Sequence, residues 1–516
     1  MRTTKIERVR GVNDILPEEC AIATQIENTL RDCFASFGYR PIDVPLIEYT
    51  ELYLRKSGEE IAARLYDFIY RNRRLCLRPE LTASVVRAYI DHLQGLPLPV
   101  RLYYVGSAFR YERPQKERYR QFTQMGIELI GVTGGMADAE VISTACQGLN
   151  ALGLTGYRLY LGHISVVSKF LDSLQIETRL RSFLLTQMEV LRKDGKAEVE
   201  RRLCDIYPAF ELYTANRELS QERLADESRR IQRLTTLFQD MEESEARESI
   251  LDLLASMNVE LGGNRDAQEI VDRLLGKMQR QDQTARISKA LEFMRELGQL
   301  VGEPAAVFQE AEKLLSVYGI DYAGLDRLRE IINTLEFYHL DQSQIILDLG
   351  MSRGLQYYTG MIFEIHHGSG GETRQVCGGG RYDDLVATFG GRQDTPATGF
   401  SYGMERLQVA LEADGKLGKS RGFVEVLVVP VSQEDAGYAI GVAQELRQAG
   451  LRVEMDVKNK SVSSNFEYAN KQGIPFAIAI GPDERRTGEI VLKNMASGEQ
   501  QRMKVSEVAS QFDQRI

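Results

Sequence analysis

Long apolar runs are missing from this chain of 516 residues: none approaches the about 18 needed to cross a bilayer as a helix. The N-terminal stretch MRTTKIERVRGVND carries no apolar signal region, so the sequence reads as a soluble, cytoplasmic protein with no membrane partner. Six cysteines (Cys20, Cys33, Cys76, Cys146, Cys204, Cys377) are scattered without a CxxC, and the five histidines adopt no ligand spacing. That pattern argues for inert thiols in a reducing compartment and against a zinc site; the pair His366 and His367 reads as a surface or core feature. No GxxxxGK[ST] occurs, because Leu417-Gly418-Lys419-Ser420 lacks the leading glycine, and a P-loop is excluded. Positive charge is in deficit as well. A net charge of −10 argues against a nonspecific nucleic-acid coater, although screening leaves room for a local basic site. What remains is an ordinary globular composition, 43% hydrophobic and 27% charged, long enough for about two to four domains.

The densest chemistry lies in residues 101–131, RLYYVGSAFRYERPQKERYRQFTQMGIELIG. Two strand-like runs flank Pro114-Gln115-Lys116-Glu117, which predicts a long antiparallel hairpin. Alternation in the second run sends Met125, Ile127 and Leu129 one way and Phe122, Gln124, Gly126 and Glu128 the other. A solvated, charge-laced hairpin is the plain reading. Against it, the five arginines between Arg101 and Arg120 outnumber the single lysine, which favours bidentate recognition of phosphate or carboxylate. Gly126 also removes a side chain where a ligand could approach. An amide and a carboxylate on a face shared with arginines suggest a pocket for a small polar ligand plus an anion.

Upstream, Ile22, Ile26, Leu30 and Phe34 recur at i+4 and predict a helix ended by Gly38. Tyr39–Ile47 reads as a strand broken by Pro41 and Pro45, hence an edge or interface position. Residues 65–75 suggest a hairpin turning at Asn72. In LCLRPELTASVVRAYI a strand turns at Pro79 into a helix; Thr82 is either the N-cap, with Glu80 incidental, or Glu80 and Thr82 face a cleft and receive an ammonium group. From 166 to 340 the texture is helical, charged and poor in proline, and the stripe Leu180, Phe183, Leu184, Met188, Leu191 reads as core. Residues 341–412 return to strands and turns, with Gly378-Gly379-Gly380-Arg381 read as a backbone-exposing loop. Arg406, just after a glycine-rich strand–helix junction, is placed to reach a nucleotide phosphate. Residues 422–516 alternate strands (424–431, 451–457, 475–481, 489–494) with helices (434–448, closed by Gly450, and 465–471, closed by Gly473). The alternation predicts an independent domain with a mostly parallel sheet.

Together these stretches resemble histidyl-tRNA synthetases of the class II aminoacyl-tRNA synthetase family, from residue 8 to about 165 and from 345 to the end. The helix and strand ending at Pro45 look like motif 1, FRYERPQKERYRQFTQMGIE like motif 2 and GFSYGMERL like motif 3; SRGLQYYTG and GGGRYDDL look like the histidine-specific segments. The resemblance implies an α+β catalytic domain on an antiparallel sheet (1–165 and 341–412), an α-helical insertion (166–340) and a C-terminal anticodon-binding-type α/β domain (422–516). It further implies a homodimer that activates histidine with ATP and Mg²⁺ and transfers it to the 3′ end of tRNA(His), with no tightly bound cofactor and no dedicated metal cage. By the same resemblance Arg110 and Arg353 grip the α-phosphate, and Arg353 also orients the attacking carboxylate. Arg118 and Arg406 hold the distal phosphates. Glu80, Thr82 and Gln124 receive the ammonium group, Glu128, Tyr357 and Tyr358 take the histidine side, and Gly126 leaves room for the ring. Arg113 and Gln115 touch the tRNA acceptor end.

The chain departs from the family in four places. Gln356 stands where an acid is usual, the insertion is long, VSSNFEYANKQG (462–473) is short of lysines, and LYLGHISVVSKFL (159–171) looks more like the regulatory paralogue of ATP phosphoribosyltransferase. A catalytically silent, histidine-sensing regulatory subunit is therefore the rival reading. The arginines of motifs 2 and 3 and the C-terminal domain stand against it.

Overall fold

The computed structural model describes residues 6–55, 64–112, 119–206, 284–351, 357–368, 373–392, 394–417 and 423–508. Arg113, Gln115, Arg118, Arg353 and Gln356 lie outside them. The chain divides into two compact units, 1–417 and 418–516. No helix among the described residues is long and apolar enough to cross a membrane.

The larger unit is built on a mixed sheet of nine strands: β1 (Arg40–Pro41), β5 (Val100–Phe109), β6 (Gln121–Ile130), β7 (Arg158–His163), β8 (Val301–Gly302), β9 (Ile345–Asp348), β10 (Met361–His367), β11 (Arg374–Arg381) and β12 (Ala397–Gly403). Their order is β1-β5-β6-β12-β11-β10-β7-β9-β8, antiparallel except for the pairs β1/β5 and β7/β9. A separate three-stranded sheet joins β2 (Ile47–Tyr49), β4 (Arg73–Leu77) and β3 (Tyr66–Tyr70). The β3–β4 turn places both Arg71 and Asn72 at positive φ, +46° and +61°, the twist that a two-residue hairpin loop requires.

Alternation along β5 and β6 sorts the large sheet into two layers. Met125, Ile127 and Leu129 are fully buried on one side, against helices Pro17–Ser36 and Gly135–Ala151. The first of these helices begins with Pro17 at its first turn, buries Ile26, Leu30 and Phe34 on one stripe, and gives way to Gly38 at φ +80°. On the other side Leu102, Tyr104 and Ala108 join Val85, Val86 and Tyr89 of helix Thr82–His92, together with Tyr357 and Tyr382. The second layer covers the candidate site.

The described helices of the 166–340 stretch share the core of the large sheet. Leu180, Leu184, Met188 and Leu191, together with Phe293 and Leu297 of helix 284–297, belong to the same apolar cluster as the first layer. The second unit carries β14 (Val453–Met455), β13 (Val426–Pro430), β15 (Phe476–Ile480), β16 (Glu489–Asn494) and β17 (Gln500–Lys504), in that order. Only β14, β13 and β15 are parallel; β16 and β17 return antiparallel, so the sheet is mixed and not mostly parallel. With no helix between β15 and β17 long enough for a crossover, the chain can only double back. Helices Ala436–Gln448 and Val462–Gln472 end at glycines, and Gly450 and Gly473 have φ of +89° and +66°.

Two further expectations are corrected. The stretch Tyr39–Ile47 is not one strand: Arg40–Pro41 pairs with β5 at the edge of the large sheet, while Ile47 starts the small one, because the two prolines cannot donate to a continuous ladder. Gly378-Gly379-Gly380-Arg381 is not a loop but the end of β11, in the middle of the sheet. A Cβ at Gly380 would stand 2.8 Å from the Tyr358 ring, so glycine there admits an aromatic side chain.

Arg381 is 7% exposed and its Nε and Nη2 reach Asp138 Oδ1 at 2.9 and 2.7 Å, tying β11 to helix Gly135–Ala151. Arg381 Nη1 also donates to Asp383 Oδ1 at 3.0 Å, so loss of Asp138 leaves Arg381 with this one, more exposed carboxylate. Asp138→Asn is expected to lower the unfolding free energy of the larger unit by about 1–3 kcal/mol, read from urea unfolding curves, because Asp383 still partners Arg381.

Candidate active site

β6 presents Phe122, Gln124, Gly126 and Glu128 to the second layer, and register decides what meets them. Across β5 lie Leu102 opposite Glu128, Tyr104 opposite Gly126 and Gly106 opposite Gln124. Across β12 lie Gly399, Ser401 and Gly403 opposite Glu128, Gly126 and Gln124. A Cβ at Gly399 would overlap the Glu128 carboxylate, so the missing side chain makes room for it.

Glu128 is 1% exposed. Tyr382 donates its hydroxyl to one carboxylate oxygen, Tyr104 donates to the other at 3.2 Å, and the Thr82 hydroxyl also reaches it. Burial pushes its pKa up to about 8, against the pull of these hydroxyls. Glu80, 2% exposed, accepts the backbone N–H groups of Thr82 (2.7 Å) and Ala83 (3.0 Å) at the start of helix Thr82–His92. Thr82 is thus the first helical residue and not the N-cap; the carboxylate two residues earlier closes the helix N-terminus. Burial raises the pKa of Glu80, while the Ala83 amide and the nearby Arg110 oppose the rise.

Gln124 donates from Nε2 to Ser401 Oγ at 3.3 Å, and its Oε1 is buried with no hydrogen-bond partner among the described residues. An orphaned buried acceptor suits a ligand donor such as an ammonium group. Arg110 lies over the Phe122 ring (5.2 Å to the centroid) and donates from Nε to Pro79 O at 2.9 Å. Burial lowers its pKa and Glu80 supports its charge. The Tyr357 and Tyr358 rings, 4.8 Å apart, complete the wall, and Tyr357 meets Tyr382 edge-on at 5.6 Å. Arg406, on helix Met404–Ala413 one turn beyond Gly403, donates to Gln375 O at 3.3 Å. Its neighbour Glu405 accepts Thr123 N–H at 2.7 Å and so locks this helix to β6.

Glu80, Thr82, Arg110, Gln124, Glu128, Tyr357 and Tyr358 therefore line one face, with Arg406 along the same edge as Gln124. Arg101 does not: it points into the opposite layer and pairs with Glu140 at 3.0 Å. Nor does Arg120, which lies over Tyr111 and donates to Glu112 O and Arg10 O. The space at Gly126 goes to the Tyr104 hydroxyl and the backbone of Phe400, not to a ligand ring. Tyr104 and Tyr382 were not singled out from sequence. For Tyr104 a signal existed, since it lies on the ligand-facing parity of β5; Tyr382 follows the last residue of β11, where alternation no longer gives a direction.

A pocket on an antiparallel sheet, flanked by a motif 2-like hairpin and a motif 3-like strand–helix junction, defines the catalytic fold of a class II aminoacyl-tRNA synthetase. The histidyl-tRNA synthetase family profile matches residues 11–266 and 253–407, and an anticodon-binding-domain profile matches 425–515. Histidine–tRNA ligases from Methanocaldococcus jannaschii (31% identical over 98% of this chain and 99% of the relative) and Methanococcus maripaludis C7 (33%, 97% and 98%) align along its length. Among solved structures, histidyl-tRNA synthetase from Nostoc sp. PCC 7120 superposes with a TM-score of 0.62 at 22% identity, each chain covered in full. A Bacillus halodurans protein described as an ATP phosphoribosyltransferase regulatory subunit/histidyl-tRNA synthetase superposes with a TM-score of 0.60 at 20% identity, covering 90% of this chain and 97% of its own. These two likenesses speak to the fold alone. The chain belongs to the histidyl-tRNA synthetase family.

Glu128 binds its proton more tightly folded, at about 8, than unfolded, at about 4.5. The folded state thus holds an extra proton across that window, and stability is lost as pH rises through it. The ligand-free Glu128→Gln variant is expected to gain on wild type as pH rises from 5 to 8, with a constant difference above that; melting temperatures across this range would show it. A pH-independent difference would contradict a buried, proton-holding Glu128.

Proposed function

We propose that the protein is a histidine–tRNA ligase that activates histidine with ATP and transfers it to the 3′ end of tRNA(His). The observation that carries this reading is Glu128, a buried carboxylate held by Tyr104, Tyr382 and Thr82. A neutral imidazole has one donor and one acceptor nitrogen. A carboxyl poised near neutrality answers either of them, accepting as carboxylate and donating as acid. An amino acid lacking such a ring leaves Glu128 without that partner, and sites built around a hydrogen bond discriminate strongly on this basis.

The orphaned Gln124 Oε1 and the carboxylate of Glu80 receive the ammonium group, with Thr82 beside them. The histidine carboxylate then attacks the α-phosphorus of ATP, pyrophosphate leaves, and the adenylate passes to the tRNA, releasing AMP. Arg110 sits beside the ammonium subsite to take the α-phosphate, and Arg406 takes a distal phosphate. Arg353 and Arg118 share these tasks, and Arg113 and Gln115 meet the acceptor end, by family resemblance alone. Most of the acceleration comes from holding reactants in register and from fixed positive charge. By family resemblance Mg²⁺ would accompany the ATP phosphates, where it would neutralise charge. A homodimer is supported by the exposed Leu46, Ile47 and Tyr49 beyond the edge strand β1 (47%, 50% and 55% exposed), and the cytoplasm is where the three substrates meet. The regulatory-subunit reading is disfavoured by ligase relatives that match along the whole chain and by the anticodon-binding-type unit.

Purified protein is expected to catalyse histidine-dependent ATP–pyrophosphate exchange and to charge tRNA(His); no exchange with ample histidine and Mg²⁺ would sink the ligase reading. Glu128→Gln is expected to raise the KM for histidine by about 10- to 100-fold, the worth of a charged hydrogen bond, and to leave the KM for ATP nearly unchanged. Arg353→Ala is expected to abolish adenylate formation while the protein stays folded; an active variant refutes the role given to Arg353.

A further inference from the structure

Arg78 is 2% exposed, and among the described residues no carboxylate lies within ion-pair distance of it. Among the described residues its guanidinium donates only to main-chain carbonyls: Nε to Ser107 O at 2.8 Å, and Nη1 to Val44 O and to Pro45 O, the latter at 3.2 Å. Its own main chain repeats the link, with Arg78 N donating to Leu46 O (3.0 Å) and Phe109 N donating to Arg78 O (2.9 Å). One residue thus fastens segment 44–46, which ends at Pro45 and Leu46, to the end of strand β5. Gly106 lies against it, since a Cβ there would overlap Arg78 Nη2.

We propose that Arg78 is a positioning residue for adenylate formation, acting through Arg110; this rests on the ligase reading. Arg110 N–H is held across the hairpin by Arg120 O at 2.9 Å, and two further ties lead to residue 78 and its neighbour. Its backbone follows Phe109, whose N–H is held by Arg78 O, and its guanidinium is aimed by Pro79 O, the next carbonyl along. A clamp of carbonyls alone needs no charge, and burying a cation without an anion is costly. What a guanidinium adds is a planar fork that holds several acceptors in one fixed geometry, which a lysine cannot reproduce. The segment it fixes ends at the arginine that must meet the α-phosphate, where a misplacement of about 1 Å costs on the order of a hundredfold in rate.

The test is a double-mutant cycle on the full-length protein: wild type, Arg78→Lys, Arg110→Lys and the double variant, each measured for kcat and KM in histidine-dependent ATP–pyrophosphate exchange, with melting temperature recorded. Arg78→Lys is expected to lower kcat by about tenfold or more with the KM for histidine within about twofold. In the Arg110→Lys background the same change is expected to alter kcat by less than about twofold, because the group it positions is already lost. Gly106→Ala, which displaces the guanidinium and keeps its charge, is expected to reproduce the kcat loss and serves if Arg78→Lys does not fold. Equal losses in both backgrounds, or a rise in histidine KM that matches the kcat loss, overturn the inference and leave the ligase reading standing. A wild type without exchange overturns the ligase reading, and this inference with it.

Discussion

A buried carboxylate needs room and donors, and Glu128 obtains both from strands far apart in the sequence. Room comes from Gly399 on the next strand, where any side chain would overlap it. Donors come from Tyr104 on β5, from Tyr382 just beyond β11 and from Thr82 at the head of a helix. The order β5-β6-β12-β11 is the arrangement that brings these four contributions to one point. Changing the strand order would leave the Glu128 carboxyl buried without its hydrogen-bond donors, so the pocket's polar network and the sheet's topology constrain each other.

The arginines of the hairpin show why composition alone misleads about a site. Arg101 serves the opposite layer through Glu140, Arg120 holds the N-terminal segment, and Arg110 alone among the described ones faces the pocket. Arg381, next to the glycine run, is likewise spent on Asp138. A surplus of arginine over lysine reports planar, multidentate hydrogen bonding, and that is needed as much for tying carbonyls and carboxylates inside the fold as for gripping phosphate.

Much of this was legible in the residues, and the failures have physical causes. The two-residue period of β6 placed Gln124, Gly126 and Glu128 on one face without any tertiary knowledge, since alternation is a local property of the pleat. The Ile26, Leu30, Phe34 stripe and the glycine stops at Gly38, Gly450 and Gly473 were visible for the same reason. Gly378-Gly379-Gly380 was misread because glycine signals freedom locally, whereas here it answers a long-range demand for space under Tyr358. Residue pattern alone left Glu80 open between incidental and cleft-facing, because side-chain capping from two residues upstream falls outside the usual N-cap pattern. The antiparallel return of β16 and β17 depends on chain direction, which alternating strands and helices do not encode.

The helical stretch between the two halves of the catalytic sheet looks, by texture, like an appendage, but its packing says otherwise. Arg192 donates to both oxygens of the buried Asp348 at 2.9 and 2.8 Å, at the end of β9. Leu349 N–H is held by Leu300 O at 3.1 Å, and a Cβ at Gly350 would press on the backbone of Gly298 at 2.6 Å. A few residues further on, Tyr358 is seated over Gly380 and Thr359 N–H binds Arg381 O at 2.8 Å. The chain that re-enters the catalytic sheet is therefore clamped by the helical stretch on one side and by β11 on the other. Because the helices also share the sheet's first apolar layer, their removal would open that core and loosen the strand that leads to Tyr357 and Tyr358. The described helices of the insertion are, in energetic terms, continuous with the sheet they pack on.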